Sequence, residues 1–540
     1  MVALLMLWGG IAMLGPPKTR CLDRPVLASL EDLVPAGHFY RHLEATLDLG
    51  FVRGWVKDRY ADRGRPSIDP VVFFKLQLVM FFEGLRSERQ LMAVVADRLS
   101  LRWYIGYGLD EAVPDHSSLT KIRERYGLAI FRRFFDHVVQ LCADAGLVWG
   151  EELFFDATKV RANAAMSSVV PRLREVVDGH LVDLFTPNPD AAGPGGALVT
   201  DIPDTADVAA PGGPPPTPLR RELAVPAAGD VPQVGTLAEE TVPPRWDLLE
   251  ECRLDPARPA APGYERKSDW RVSPTDPDAA LMRATGQRAA LGYHDHYVVD
   301  GGKARVILHA LVTPADVMEN EPMLDQLRRV MFRWRLRPAR VVADTTYGTV
   351  ENIRALEDQG IRAYVPLPDF DRRTPFFGSA QFTYDPERDA YRCPGDQPLR
   401  RRKANNAEEI VVYQAEAATC NACPLKARCT ASDQGRRVSR SFHEAYLDRV
   451  RGYHATPAYR QAMRKRKVWP EPLFAEAKQW HGLRQFRLRG LQQVNTEGLL
   501  IAAGQNLKRW LATTGWGRRS GPTGSLAASN SASTPSGRGV

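Results

Sequence analysis

Residues 152–159 read Glu-Leu-Phe-Phe-Asp-Ala-Thr-Lys, a short apolar run that stops at Asp156. Residues 340–348 follow the same pattern, Arg-Val-Val-Ala-Asp-Thr-Thr-Tyr-Gly, and their apolar run stops at Asp344. Short runs rich in β-branched and aromatic residues predict strands, so each acid is expected at the end of a strand. Ligand sites of helix-covered sheets gather at strand ends. An Asp in this position is more often an ordinary turn or cap residue, so the pair carries weight only with a third acid.

The third acid, Glu471, lies in the most basic stretch of the chain. Residues 459–490 contain nine Lys or Arg and two Glu, whereas the net charge of all 540 residues is +8. A basic run is usually a solvated helix face, but around an acid it favours a polyanionic substrate such as DNA. Three carboxylates form an oxygen-rich pocket that suits Mg²⁺. Paired metal ions in such a pocket would support phosphodiester cleavage.

The order of the predicted elements indicates the fold class. We predict a strand at 150–165, a hairpin at 292–314 with its turn at Gly301-Gly302, a helix at 321–334, a strand at 339–344, a helix from Thr349 to Gly360 and a strand at 361–367. This order predicts an α/β fold with a mixed sheet flanked by helices, formed by residues 150–165 and 264–370. Glu471 falls on a late helix, in a basic helical region at 455–512.

The N-terminal residues 25–130 predict an all-helical domain. Residues 70–85 are apolar on nearly all sides, which is typical of a buried helix. Residues 87–99 form an amphipathic helix, and Asp115 or Ser117 is expected to cap the next one. A small helical bundle of this kind is either DNA-binding or purely structural, and the residues leave both interpretations open.

Three segments are expected to lie outside any packed core. Residues 186–244 are rich in Pro, Ala and Gly and predict a disordered insert between short helices at 171–185 and 245–254. Residues 515–540 predict a disordered tail. The first 14 residues are apolar, but they lack the basic start of a signal peptide and are too short to span a bilayer. We therefore expect a cytoplasmic protein.

Four of the seven cysteines cluster in a Cys-rich insert at residues 380–445. A Cys-x₂-Cys pair with two further cysteines nearby predicts a tetrahedral structural Zn²⁺ site in a zinc-ribbon-like insert. The spacing is irregular, so four reduced thiols in a loop are the alternative, and His443 is an alternative ligand. The expected zinc ligands are Cys393, Cys420, Cys423 and Cys429. The isolated cysteines, expected to be plain thiols, are Cys21, Cys142 and Cys252.

Taken together, these motifs resemble the DDE transposases of bacterial insertion sequences, over roughly residues 15–512. The runs that end at Asp156 and Asp344 resemble the first two acidic motifs of that family. Lys467, Glu471 and Lys478 resemble its third motif, and residues 65–70 and 114–119 resemble its N-terminal helical domain. The resemblance implies an RNase H-like core with inserts. It also implies that the three acids are catalytic and hold two Mg²⁺ or Mn²⁺ ions.

The resemblance further implies DNA cleavage and strand transfer at the ends of an insertion sequence. The expected partners are transposon-end and target DNA, with a homodimer in the synaptic complex and a nucleoid-associated location. Residues expected to hold phosphates are Lys467, Lys478, Arg484, Arg487 and Arg489. Trp469 and Trp480 either pack in the core or stack on unpaired bases at a transposon end.

The chain departs from the family pattern at two positions. Lys467 stands where an Arg is common, which keeps the charge but loses the bidentate fork. Pro470 stands where an apolar β-branched residue is usual, and a proline prevents a continuous helix through this point. Either the helix starts here or this copy is poorly active. Two other functions therefore stay open: an RNase H-like nuclease without strand transfer, and an inactive DNA-binding derivative.

Overall fold

The computed structural model describes residues 25–171 and 264–516, apart from residues 26, 62, 65, 265, 268–269, 284–287 and 369–373. Three predicted segments lie outside the described residues: the insert at 186–244, the helix at 245–254, and the helix at 171–185 apart from its first residue. So does the predicted tail beyond residue 516. The chain divides into two compact units, Met1–Ala145 with Ala503–Val540, and Gly146–Ala502. Within the described ranges, no helix is both long enough and apolar enough to cross a membrane.

The N-terminal part of the first unit is all-helical, as predicted. Its helices are α1 (Leu30–Leu33), α2 (Phe39–Thr46), α3 (Val52–Val56), α4 (Pro70–Phe82), α5 (Glu88–Asp97), α6 (Leu99–Ile105) and α7 (His116–Asp144). Helix α4 is buried along most of its length, which its uniformly apolar sequence requires. Asp69 caps α4, and Pro70 occupies the first turn, where a proline sacrifices no intrahelical hydrogen bond. Asp115, rather than Ser117, caps α7 by accepting a hydrogen bond from the Ser117 amide at 2.8 Å.

The second unit is built on a six-stranded mixed sheet. The strands of this part of the chain are β1 (Glu152–Arg161), β2 (Val170–Pro171), β3 (Arg271–Val272), β4 (Ala280–Met282), β5 (Ala290–Asp300), β6 (Ile307–Pro314), β7 (Arg340–Val342) and β8 (Arg362–Tyr364). The large sheet has the order β4-β5-β1-β7-β8, with β6 paired to β5, while β2 and β3 pair separately. Strand β1 is antiparallel to β5 and parallel to β7. This is the mixed sheet that the order of elements predicted, and it agrees with the RNase H-like core that the family resemblance implied.

The prediction that Asp156 ends its strand is wrong. Strand β1 continues to Arg161, because its antiparallel pairing with β5 persists as far as Arg161 opposite Gly292. Only the parallel pairing with β7 stops early, at Phe154 opposite Val342. Asp156 therefore lies inside β1, just beyond the point where one of its two neighbouring strands ends.

The predicted two-glycine turn of the hairpin is also wrong. Strand β5 ends at Asp300 and β6 begins at Ile307, so residues 301–306 form the connection. The Asp300 carboxylate accepts hydrogen bonds from the amides of Gly302 and of Gly150 at 2.8 and 2.7 Å. These bonds stabilise a connection of six residues in place of the predicted two-residue turn. Arg305 in this connection is in the left-handed conformation, with φ 55°.

Helices α8 (Met323–Arg333) and α9 (Val350–Asp358) follow β6 and β7 respectively. As predicted, Thr349 caps α9, since its hydroxyl accepts a hydrogen bond from the Asn352 amide at 3.2 Å. Gly360 follows the helix with φ 74°, a left-handed conformation that suits glycine. Strand β8 is shorter than the predicted strand at 361–367.

The Cys-rich insert forms a second, antiparallel sheet with a core of its own. Its strands are β9 (Thr383–Asp385), β10 (Ala390–Arg392), β11 (Pro398–Asn405), β12 (Ile410–Ala415) and β13 (Arg437–Ser441), in the order β13-β12-β11-β10-β9. Two short helices, α10 (Ala417–Asn421) and α11 (Lys426–Cys429), lie between β12 and β13. The insert core is formed by Phe382, Tyr391, Leu399, Tyr413, Ala415, Cys429 and Val438.

The chain ends in helices α12 (Glu444–His454), α13 (Pro457–Arg466), α14 (Glu471–Trp480) and α15 (Leu491–Thr513). Helix α13 lies near β8, where Tyr459 and Tyr364 have ring centroids 5.7 Å apart. Asp276, which resembles an ordinary turn residue in the sequence, is fully buried and accepts a hydrogen bond from the Gly490 amide at 3.0 Å. This bond connects the residue before α15 to the turn between β3 and β4.

Candidate carboxylate site

Asp156 is placed by the register of the sheet. It is 8% exposed, and the residue opposite it on β5 is Tyr297. Asp344 comes two residues after β7, the strand on the other side of β1. The Asp344 carboxylate accepts a hydrogen bond from the Thr346 amide at 2.8 Å, which opens a 3₁₀ turn at Thr345–Tyr347. Neighbouring strands therefore bring the first two predicted acids to the same part of the sheet.

Glu471 is placed by the face of α14 that packs on the sheet. Phe474, one turn further on, stacks on Tyr297 with ring centroids 4.4 Å apart and an interplanar angle of 19°. Lys478, a further turn on, donates a hydrogen bond to the hydroxyl of Thr158 on β1. Residues three or four apart share a face of a helix. The contacts of Phe474 and Lys478 therefore direct Glu471 towards Asp156, and we call Asp156, Asp344 and Glu471 the carboxylate site.

Pro470 does not interrupt a helix. Helix α13 ends at Arg466 and α14 begins at Glu471, with Pro470 as its N-cap residue and Pro472 in its first turn. A proline is tolerated at these positions because the first amides of a helix have no intrahelical acceptor. The sequence left open whether a helix starts at this point or the proline makes the copy poorly active. In the structure, the helix starts at Glu471.

A cation that the sequence did not single out lies in the carboxylate site. One guanidinium nitrogen of Arg466 (Nη2) is 3.1 Å from Asp156 Oδ1 and 3.5 Å from Asp344 Oδ2. The preceding residue, Lys465, pairs with buried Glu152 and donates to the Gly301 carbonyl. The end of α13 is thus anchored to the sheet by Lys465, and this anchor presents Arg466 to both carboxylates.

Burial and neighbouring carboxylates raise the pKa of two acids at the site, Asp156 and Glu319. Burial raises the pKa of Asp156 to about 6; Arg466 lowers that pKa, and Asp344 and Glu471 raise it. Burial, followed by the charges of Asp344 and Asp156, also raises the pKa of Glu319. Glu319 is thus a fourth acid beside the site. It lies in the turn between β6 and α8, where no motif distinguishes it in the sequence.

The donor set of the carboxylate site fits a divalent metal ion. Carboxylate oxygens are the ligands that Mg²⁺ prefers, and like charges in a buried position favour a cation between them. Arg466 already neutralises two of the acids. Within the described ranges, no three Asp, Glu, His or Cys side chains are drawn together closely enough to form a finished metal site. The fit therefore rests on donor chemistry and on the effect of Asp344 and Glu471 on the pKa of Asp156.

The predicted DNA-contact residues lie in different environments. Trp480 is 65% exposed, and Lys467 and Arg484 are exposed. Trp469 donates a hydrogen bond to the Gly302 carbonyl at 3.2 Å. Arg489 donates one to the Asn163 carbonyl at 3.0 Å. Burial lowers the pKa of Arg487, whose charged neighbour is Glu497, and burial also lowers the pKa of Lys478.

The four clustered cysteines converge on one pocket of the insert. Cys393, Cys420, Cys423 and Cys429 all line a cavity of about 20 Å³, room for about one water-sized particle. The Gln397 amide donates to Cys393 Sγ at 3.3 Å and the Arg436 amide donates to Cys420 Sγ at 3.5 Å. Amide donors of this kind stabilise thiolates that bind a metal. We call this group the cysteine pocket.

Two further observations bear on the cysteine pocket. Burial raises the pKa of the Cys429 thiol and the other three sulfurs raise it further, whereas Arg436 lowers it. His443 does not line the pocket, because its ring lies 3.1 Å from Glu409 Oε2 and 3.0 Å from Arg354 Nη1. Four thiols are the donor set of a tetrahedral Zn²⁺ site, but among the described residues they are not drawn together into a finished metal site, and His443 lies outside the pocket.

Two protein families match parts of the chain. Residues 28–125 match a family described as "Transposase domain (DUF772)", and residues 392–511 match one described as "Transposase DDE domain". Glu471 and the cysteine pocket lie inside the second match, whereas Asp156 and Asp344 lie between the two. No curated protein and no solved structure matches the chain. The two matches, together with the mixed sheet flanked by helices, support a DDE-type transposase of the insertion-sequence type.

Proposed function

We propose that this transposase catalyses metal-dependent DNA cleavage and strand transfer at the ends of an insertion sequence. The observation that carries the proposal is the convergence of Asp156, Asp344 and Glu471, from three distant segments, beside Arg466 and Lys478. The electrostatic coupling of Asp156 to both other acids supports this convergence. In the reaction, water would release a 3′-hydroxyl at the element end. That hydroxyl would then attack target DNA in the same site.

The three acids would hold two divalent ions. In such sites, bound Mg²⁺ activates the attacking oxygen and stabilises the leaving oxygen. Lys478, fixed by Thr158, would hold a phosphate beside the acids, and the exposed cations Lys467, Arg484 and Arg489 would hold the backbone further out. Trp480 is exposed enough to stack on an unpaired base. Arg487, beside Glu497, would position the segment more than it contacts DNA.

Substitution of single acids tests the proposal. Asp156→Asn, Asp344→Asn and Glu471→Gln should each reduce cleavage below detection and leave binding to end DNA intact. The matched control is Glu476→Gln on the same helix, which should cleave normally. Cleavage is measured on a labelled duplex carrying an element end, with and without Mg²⁺. Full activity in any one of the three variants removes that residue from the mechanism.

An RNase H-like nuclease without strand transfer would use the same acids. The two activities are separated by supplying a pre-cleaved end with a free 3′-hydroxyl and a target plasmid. A transposase joins the two molecules, whereas a nuclease leaves the end unjoined. An inactive DNA-binding derivative would neither cleave nor join, and Pro470, the residue that favoured it, does not break a helix.

We also propose a structural Zn²⁺ in the cysteine pocket, end recognition by the N-terminal helical unit, and a homodimer in the synaptic complex. The support for zinc is the convergence of four sulfurs and two amide donors. Elemental analysis of protein purified under reducing conditions should find one zinc per chain. Light scattering of the protein on paired end duplexes should give two chains per complex, and one chain would contradict the homodimer.

A further inference from the structure

Strand β11 of the Cys-rich insert carries the run Arg400-Arg-Arg-Lys403, and all four side chains are exposed. The neighbouring strand but one, β13, adds an exposed Arg437. None of these residues belongs to the carboxylate site or to the predicted DNA contacts. The insert therefore contains a second cationic surface that the function proposed so far does not use.

The register of the sheet places three of these cations on one face. Arg400 lies opposite Gln414, and Gln414 lies opposite Arg437. A bulge between Arg401 and Lys403 puts Lys403 opposite Val412, which shares a face with Gln414 because side chains alternate along a strand. Without the extra residue, Arg402 would take that position. We call Arg400, Lys403 and Arg437 the cation face.

The opposite face of the same sheet packs on the insert core. Leu399, Tyr413 and Val438 lie there and are buried. The aromatic side chains of the sheet, Tyr384, Tyr391 and Tyr413, form one cluster with ring centroids 5.2–6.0 Å apart. The cation face thus has positive charge and no cluster of rings beside it.

Charge pairing also separates the cations of the insert into two groups. Arg392 pairs with Asp396 at 2.8 Å and Arg401 with Asp389 at 3.4 Å, and Arg388 lies 3.9 Å from Asp385. By contrast, Arg400, Lys403 and Arg437, and Arg402 in the bulge, make no side-chain hydrogen bond or ion pair with any part of the chain that the structure describes. Across the sheet, Arg400 lies opposite Ala390 on β10, and Ala390 lies opposite Asp385 on β9. This carboxylate is therefore two strands away from Arg400.

We propose that the cation face binds the phosphate backbone of duplex DNA. Like charges near one another on a sheet are unfavourable without a counter-charge, and a polyanion supplies one. Duplex DNA fits better than single-stranded nucleic acid, because single strands are bound by base stacking on exposed rings, and the rings lie on the other face. The contacts carry no base information. The inference rests on the proposed function only in taking DNA as the partner.

The test removes the unpaired cations and compares them with paired ones. The variant Arg400→Gln/Lys403→Gln/Arg437→Gln is matched by Arg388→Gln/Arg392→Gln/Arg401→Gln, which removes the same charge from the same insert. Both are made in full-length Glu471→Gln protein and studied without added Mg²⁺ and without a chelator, so that no cleavage occurs and the cysteine pocket keeps any zinc. Binding to a duplex without element ends is measured by fluorescence anisotropy across a KCl titration.

The first variant should bind the duplex more weakly, at every sequence alike. Its log Kd–log salt slope should fall by about 0.9 for each phosphate that the protein no longer neutralises. The matched variant should keep the parent slope, and Arg400→Lys/Arg437→Lys should keep it too, because charge rather than the guanidinium fork binds the phosphate. Equal slopes for the first variant and its match overturn the proposal. So does an altered oligomeric state at unchanged DNA affinity, which would make the cation face a protein interface.

Cleavage by protein with Glu471 intact separates this inference from the proposed function. Absence of Mg²⁺-dependent cleavage, with the salt slope still lowered in the first variant, refutes the catalytic proposal and leaves the cation face standing. Normal cleavage, with the same salt slope in the first variant as in its parent, supports the catalytic proposal and refutes the cation face as a DNA-binding surface.

Discussion

The carboxylate site and the cysteine pocket are assembled in opposite ways. Asp156, Asp344 and Glu471 come from β1, the turn after β7 and the start of α14, and they meet only because the sheet and α14 bring them together. The four cysteines lie between residues 393 and 429 and line a single cavity. The carboxylate site is held by surrounding packing and by Arg466, whereas the cysteine pocket lies in a small insert whose described core has seven buried residues. Metal should therefore be dispensable for the fold of the first region and essential for the second.

Removal of zinc should have the largest effect and should stay local. Thiolate zinc sites contribute about 10–16 kcal/mol of binding free energy coupled to folding. A zinc chelator, or Cys423→Ser, should therefore unfold the β9–β13 sheet and leave the β1–β8 sheet folded. Hydrogen exchange measured by mass spectrometry resolves the two sheets. The control variant Cys142→Ala, outside the pocket, should keep its zinc. If the amides of the β9–β13 sheet stay protected from exchange without zinc, the insert does not need the metal to fold.

Truncation of Phe474 should disturb the carboxylate site through packing. Phe474 is buried and stacked on Tyr297, so Phe474→Ala should cost about 3–5 kcal/mol of unfolding free energy. Cleavage should fall, because the stacking that directs Glu471 is removed, while zinc content stays the same. Urea denaturation measures the first effect, and Phe474→Leu should recover most of it. An unchanged cleavage rate would show that Phe474 does not position Glu471.

Removal of Arg466 should destabilise the metal-free carboxylate site and strengthen its binding of divalent ions. Arg466→Gln leaves Asp156 and Asp344 without their counter-charge, so metal-free protein should lose about 1–3 kcal/mol of stability. Divalent ions should bind more tightly, because they no longer compete with the guanidinium. Mn²⁺ binding followed by electron paramagnetic resonance measures the second effect. Arg464→Gln, exposed on the same helix, is the control. Equal Mn²⁺ affinity in both variants would show that the Arg466 guanidinium does not compete with a divalent ion for Asp156 and Asp344.

The smallest effect is expected at Thr158. Thr158→Val keeps the shape of the side chain but removes the acceptor for Lys478. Both residues are partly exposed, so the loss should be about 0.5–1.5 kcal/mol, the net value of a typical hydrogen bond. Cleavage should fall modestly at saturating Mg²⁺, and duplex binding measured without added Mg²⁺ should barely change. A variant as inactive as Glu471→Gln would mean that Thr158 itself takes part in the site.

Local signals in the sequence predicted the elements well, and long-range pairing decided what they missed. The caps at Asp115 and Thr349 and the buried α4 follow from residues within one helical turn. The length of β1 past Asp156 depends instead on β5, which the sequence near Asp156 does not contain. Lys467 and Arg466 are adjacent, but successive helical residues point about 100° apart. The choice between them as partner of the acids therefore depends on how α13 docks on the sheet, and Lys465 bound to Glu152 determines that.

The position of β1 in the middle of the sheet has a consequence for synthesis of the protein. Phe154 and Phe155 are buried against β5, where they lie opposite Val299 and Val298. At about 5–20 residues per second, the ribosome needs roughly 7–30 s to produce β5 after β1. Throughout that interval an apolar strand has neither of its eventual neighbours. The central strand of the six-stranded sheet is thus exposed to aggregation during synthesis, and β5 is the first of its two neighbouring strands to be made.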